Sequence, residues 1–195
     1  MTPKQIERIQ TKIKKIRSAL TEEKRIYGGF HDGRGLRYAP LELYIKIQDY
    51  KGGLNYTRWF DKNFPDDIGS PIFLFEWTII LFNNDKIKDA ESKAIKTYFS
   101  NSYLFDKFFD RPRIPIDKYE YSNFDMLEFT NYLTYSKNQT ELSVFRDWLS
   151  DFEKSKRFEK TKANFLEINK RLKKETNTET RGLLLQQLRL LEDEK

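Results

Sequence analysis

"DYKGGLNYTRWFDKNFPDD", residues 49–67, reads as a helix that carries its own start and stop signals. Asp49 is the kind of residue that caps a helix N-terminus, because its carboxylate accepts the first unpaired backbone N–H groups. Apolar side chains at 50, 54, 56, 59, 60 and 64 recur at helical spacing. Pro65 and the two aspartates after it close the segment, since proline cannot continue a helical ladder.

The neighbouring text has the same grammar. Upstream, "PLELYIKIQ" (40–48) puts apolar residues at 41, 44 and 45, so 40–64 divides into two helices with a break near Gln48-Asp49. Downstream, "PDDIGSP" (65–71) is a turn, and 71–83 is apolar almost all round, the mark of a helix buried at the centre of a domain. "NND" (83–85) turns the chain again. Residues 86–99 then form a helix whose Ala90 and Ala94 permit close packing.

Further out, residues 3–26 form a helix opened by Pro3, with Ile6, Ile9, Ile13, Ile16 and Leu20 on one stripe and Lys, Arg and Gln opposite. After 101 comes a short aromatic helix, a Pro-broken loop (110–118), a helix over 122–133 capped by Ser122 or Asn123, and another over 138–153. From 154 the composition shifts to a charged segment without proline. Leu184, Leu188 and Leu191 recur there at i, i+4 and i+7, so 155–193 reads as a helical hairpin or short coiled coil. The chain is expected to be all-α with seven to nine helices and no strand of consequence. Residues 1–153 form the main domain and 154–195 a helical extension.

The segment 49–67 also resembles the second helix and exit turn of a tetratricopeptide repeat. Asp49-Tyr50 open the helix, Gly53 takes the small site, Tyr56 and Phe60 line the packing face, Pro65 closes it, and Tyr44 falls where the first helix offers an aromatic. A second copy lies at 74–101, with Ala90 at the small site, 37 residues after Gly53, near the roughly 34-residue period of the family. The resemblance covers about 38–101 and departs from the pattern at Pro40, at Gly53 in place of Ala, and at Ser102 in place of a closing proline. Two copies need flanking helices to cap them. The resemblance implies a non-enzymatic interaction or scaffold module that binds a protein or peptide in a helix-lined groove. First helices line such a groove, which assigns to it Tyr38, Glu42, Ile45, Ile72, Phe75, Glu76, Ile79 and Phe82. So much apolar surface cannot stay open to water in a monomer, so either the tail helices cover it or a partner does.

Composition narrows the chemistry. The chain has no cysteine and one histidine among 195 residues, which excludes disulfides, thiolate catalysis and multi-histidine metal sites. No cofactor or metal is expected. "YGGFHDGRGLRY" (27–38) holds four of the eight glycines and that histidine, but it follows a helix, lacks Gly-Lys-Ser/Thr, and fits no phosphate-binding spacing. It reads as a connector. His31 with Asp32 stands as an acid–base candidate, and Arg34 and Arg37 as anion-binding candidates. The run "PIFLFEWTIILF" (71–82) is too short to span a bilayer and carries Glu76, so no membrane partner is expected and a cytoplasmic location follows by default.

Net charge is +6, with +5 in residues 1–26, +5 in 154–195 and about −4 between. Basic ends around an acidic body offer a second reading, a nucleic-acid-associated regulatory protein. Residues 179–193 offer a third contact, homodimerisation through their leucine repeat.

Overall fold

The structure is a computed structural model that describes residues 1–193, and the side chains of residues 1–191. The last two residues of the expected tail lie outside the described residues. Among the described residues every regular element is helical and none is a strand, as the sequence patterning requires. No helix among them is long and apolar enough to cross a membrane. The chain divides into two compact units, residues 1–86 and 87–195. The compositional change at 154 therefore falls inside the second unit. The division also falls between the two helices of the expected second hairpin.

The first unit contains α1 (Pro3–Tyr27), α2 (Ala39–Lys46), α3 (Tyr50–Asn63) and α4 (Pro71–Phe82). A capping box starts α1: Thr2 Oγ1 accepts from the Gln5 N–H, and the Thr2 N–H donates to Gln5 Oε1. Gly28, at φ 72°, ends it. Ile13, Ile16 and Leu20 are the buried part of the isoleucine–leucine stripe, while Ile6 and Ile9 are half-buried. Arg17 lies over the Trp59 ring at 5.6 Å, which fastens α1 to α3.

The break expected near Gln48-Asp49 is a tight reversal. Gln48 takes φ 56°, and Asp49 Oδ1 accepts from the Gly52 N–H at 2.8 Å. From there α3 runs against both α2 and α4. Tyr56 and Phe60 are fully enclosed, and Phe60 meets Phe73 at 4.7 Å and the edge of Trp77 at 5.8 Å. At Gly53 the helices come so near that an added Cβ would lie 2.3 Å from Ile80 Cδ1. Asn84 closes the assembly from the far end, donating to the carbonyls of Tyr50 and Ile80 at 2.8 Å each. Ten of the twelve residues of α4 are buried, in keeping with its all-round apolar composition.

The second unit contains α5 (Ile87–Ser100), α6 (Tyr103–Phe109), α7 (Ser143–Glu153), α8 (Lys156–Leu172) and α9 (Thr178–Asp193). Rings dominate its interior. Phe99 stacks on Phe165 at 3.9 Å, Tyr98 meets Phe158 edge-on at 5.1 Å, and Phe152 meets Phe158 at 5.4 Å. The two phenylalanines of the charged tail thus belong to this core. The helix expected over 122–133 is instead two 3-10 segments, Asn123–Asp125 and Leu127–Tyr132, separated by Met126 in extended geometry. Asn101 explains the interruption. Its amide donates to the carbonyls of Phe124 and Met126, which an α-helix would need for its own ladder. Ser122 is the N-cap.

The contact at Gly53 makes a sharp prediction. Ile80 is fully buried, so its methyl has nowhere to retreat, and Gly53→Ala is expected to cost about 1–3 kcal/mol despite alanine's better helix propensity. In that background Ile80→Val should recover part of the loss, whereas alone it costs about 1 kcal/mol. A denaturant double-mutant cycle measures the coupling, and additive losses would refute the close approach.

Candidate functional site

The glycine-rich connector is tied down at nearly every residue. After Gly28, Phe30 packs on Phe64 at 4.3 Å and carries the Lys24 ammonium over its ring. The His31 N–H donates to Glu23 Oε2 at 3.2 Å, and its imidazole, exposed to solvent, meets the Tyr27 ring edge-on at 5.1 Å. Asp32 turns away from it. Its carboxylate is 4% exposed, accepts from the backbone N–H groups of Leu36 (2.7 Å) and Arg37 (2.8 Å), and pairs with Arg37 Nη1 at 3.2 Å. The His31–Asp32 acid–base pair is therefore not assembled, because the carboxylate caps the next turn instead.

Arg37 is the hub of this cluster. Nε donates to Asp67 Oδ2 at 2.5 Å, Nη1 to the Asp32 carbonyl at 2.9 Å, and Nη2 to the Tyr38 hydroxyl at 3.0 Å. The Tyr38 hydroxyl donates in turn to Asp67 Oδ1 at 2.7 Å, and the Tyr56 hydroxyl donates to the Arg37 carbonyl at 2.7 Å. Asp67 also accepts from the Gly69 N–H. Two carboxylates already surround the guanidinium, so Arg37 is not offered to an outside anion; of the two arginine candidates, Arg34 is the exposed one.

The electrostatics follow. Burial pushes the Tyr38 hydroxyl up to about 12, with the Asp67 hydrogen bond acting in the same direction. Burial also opposes the charge on Asp67, but hydrogen bonds from Tyr38, Arg37 and the Gly69 N–H outweigh it and hold the carboxyl below its ordinary value.

The expected groove residues scatter. Ile45, Phe75, Glu76 and Ile79 are buried, Phe75 and Ile79 completely, so they are core positions and present no surface to an incoming partner. Tyr38, Ile72 and Phe82 are half-buried, and Glu42 alone of the set is exposed. The face is filled because α4 packs apolar side chains all round its circumference.

An open groove lies instead in the second unit, between α8 and α9. It encloses about 640 Å³ and is lined by Asn164, Glu167, Ile168 and Arg171 from one helix and Gln187, Leu190 and Leu191 from the other. Beneath it Ile168, Leu172 and Leu184 form a small core with Leu185, Leu188 and Leu191 against it. Arg181 locks the reversal by donating to the Leu172 carbonyl at 2.7 Å while lying over the Tyr119 ring. Leucines 184, 188 and 191 are the intramolecular seam. Leu183 and Leu190, one heptad apart, are 56% and 62% exposed on a second face, where Leu190 is also a wall of the groove. The signal for that second face is present in the run "LLLQQLRLL" (183–191), which has more leucines than one seam can use.

A further titratable cluster sits at the end of α7. Glu153 Oε1 accepts from Arg111 Nη2 at 2.9 Å, while Oε2 is buried without a hydrogen-bond partner among the described residues. Burial pushes this carboxyl above its ordinary value, with Arg111 acting against the rise.

Set against family models, curated proteins and solved structures, the chain matches none of them.

The two carboxylates carry opposite pH signatures. Asp67, depressed in the folded state, contributes stability that is present above its ordinary pKa near 3.8 and lost as pH falls through the lower folded value. Glu153, raised in the folded state, favours folding below its ordinary pKa near 4.5, and that contribution is lost as pH rises through the folded value. Asp67→Asn is therefore expected to flatten the acid limb of a thermal-stability profile. At pH 7, Asp67→Ala should cost about 2–3 kcal/mol through unpairing Arg37 and Tyr38. His31→Ala should stay within about 0.5 kcal/mol of the parent. An acid limb identical in Asp67→Asn and the parent would remove Asp67 from this role.

Proposed function

We propose that the chain is a non-enzymatic protein-interaction module that acts through a helix-lined groove, the one between α8 and α9. The observation that carries this reading is the open 640 Å³ groove with an apolar floor, walled in part by the exposed Leu190, with the exposed Leu183 one heptad away. An amphipathic helix buries its apolar ridge in such a groove, and each leucine it covers contributes about 1.5–3 kcal/mol. The packing of α3 against α2 and α4, with Gly53 at its close approach to Ile80 of α4, supports the tetratricopeptide-like part of the reading, although the expected groove is filled.

The occupant the chain itself recommends is the same hairpin of a second copy. Leu183 and Leu190 form a ridge of the right kind, and groove and ridge lie on one hairpin, so the contact can be isologous and close on itself. The rim charges agree. Glu167 and Arg171 are one turn apart on α8, and a twofold axis between them sets Glu167 of each copy against Arg171 of the other.

Light scattering over a rising concentration series tests this. The expected mass approaches twice 23.6 kDa, and Leu183→Glu with Leu190→Glu returns it to one chain with the helical circular dichroism unchanged. A single-chain mass up to millimolar concentration would exclude the second copy as occupant.

A further inference from the structure

The cations of the two basic ends are not equivalent. In the tail, Arg157 pairs with Glu91, Lys173 with Asp117, Lys162 lies over Tyr98 and Arg181 holds the Leu172 carbonyl, while the exposed Lys160, Lys170 and Lys174 are interspersed with Glu159, Glu167 and Glu175. In α1 the C-terminal half is likewise engaged: Arg17 on Trp59, Lys24 on Asn63 and Phe30, Arg25 on Glu22. The N-terminal half differs. Lys4, Arg8, Lys12 and Lys15 are all exposed, and none forms an ion pair or side-chain hydrogen bond among the described residues. At 100° per residue these four fall within about 80° of one another, a single stripe about 16 Å long. Glu7 is the one carboxylate among residues 4–15.

We infer that this stripe is a docking surface for the phosphate backbone of a nucleic-acid duplex. The stretch of duplex axis that the stripe spans carries roughly ten phosphates on its two strands, at one charge per about 1.7 Å, which is more than enough to supply a partner for each of the four cations. A membrane surface fits less well. An interfacial helix needs a free apolar face, and that of α1 is committed to its own unit through Ile13, Ile16 and Leu20. A single strand also fits less well, because no aromatic ring lies along the stripe for bases to stack on. Contacts made by lysine and arginine to phosphates alone are independent of base sequence. The surface belongs to the first unit and does not depend on the groove of the second.

Fluorescence anisotropy with the full chain and labelled mixed-sequence DNA and RNA duplexes, titrated between 50 and 200 mM salt, is the test. Four engaged cations give a slope of about −3.6 in log K against log salt, which is about a 150-fold loss over that range. Neutralising Lys4, Arg8, Lys12 and Lys15 together to Gln is expected to remove binding to both duplexes. Neutralising the exposed tail cations Lys160, Lys170, Lys174 and Arg189, which alters net charge equally, is expected to preserve it. Equal loss in the two variants would overturn the inference in favour of diffuse attraction. Binding to phosphatidylserine vesicles with none to either duplex would overturn it in favour of a membrane. Should the first variant lose its helical circular dichroism, the salt slope of the unaltered chain still decides, and a slope near zero refutes the proposal.

Discussion

One guanidinium holds the entrance to the first unit together. Arg37 sits between Asp32, from the connector, and Asp67, from the turn that leads into α4, and its carbonyl takes the Tyr56 hydroxyl from α3. The connector, α3 and the turn before α4 therefore meet at one residue. A half-buried guanidinium is held firmly when its donors are matched, and here two carboxylates, a phenol and a main-chain carbonyl do so. The same matching disposes of the chemical readings of the glycine segment. A guanidinium already saturated by carboxylates has little left for a phosphate, and an aspartate that caps a turn cannot also orient a histidine.

The sequence made the helices legible because each carries its own local signals. Asp49 and Pro65 bracket α3, Thr2 and Gln5 cap α1, and the all-round apolar text of 71–82 places α4 in the interior. What was not legible is set by partners distant in the chain. The segment 122–133 has a helical pattern, yet Asn101, more than twenty residues away, takes two of its carbonyls and leaves 3-10 turns. No periodicity within the segment encodes that competition. The groove failed to be read for a related reason. Repeat geometry assigns Phe75 and Ile79 to a groove face that the tail or a partner must cover, while the apolar content of the whole helix points to enclosure within its own unit.

Charge composition has to be resolved residue by residue before it says anything about partners. Residues 1–26 and 154–195 have equal net charge, so composition treats them alike. Their environments differ. Along the tail, several cations answer carboxylates or rings of the second unit, as Arg157 does with Glu91 and Lys173 with Asp117. Along the first three turns of α1 the cations meet only solvent. An engaged cation contributes to packing, and drawing it to another anion requires breaking that contact. A solvated one can exchange its counterions for phosphates at no such cost.

A similar sorting applies to the leucines of α9. A helix that packs on one neighbour needs one apolar seam, and Leu184, Leu188 and Leu191 supply it against α8. Leu183 and Leu190 are additional to that need, and their exposure is a standing cost that burial by a second surface would remove. Because Leu190 also lines the groove of the same hairpin, one twofold arrangement covers ridge and groove together. An unrelated partner would have to provide both a ridge and a groove of its own to do as much. The proposed self-association would cover this hairpin's exposed leucines with no surface other than its own.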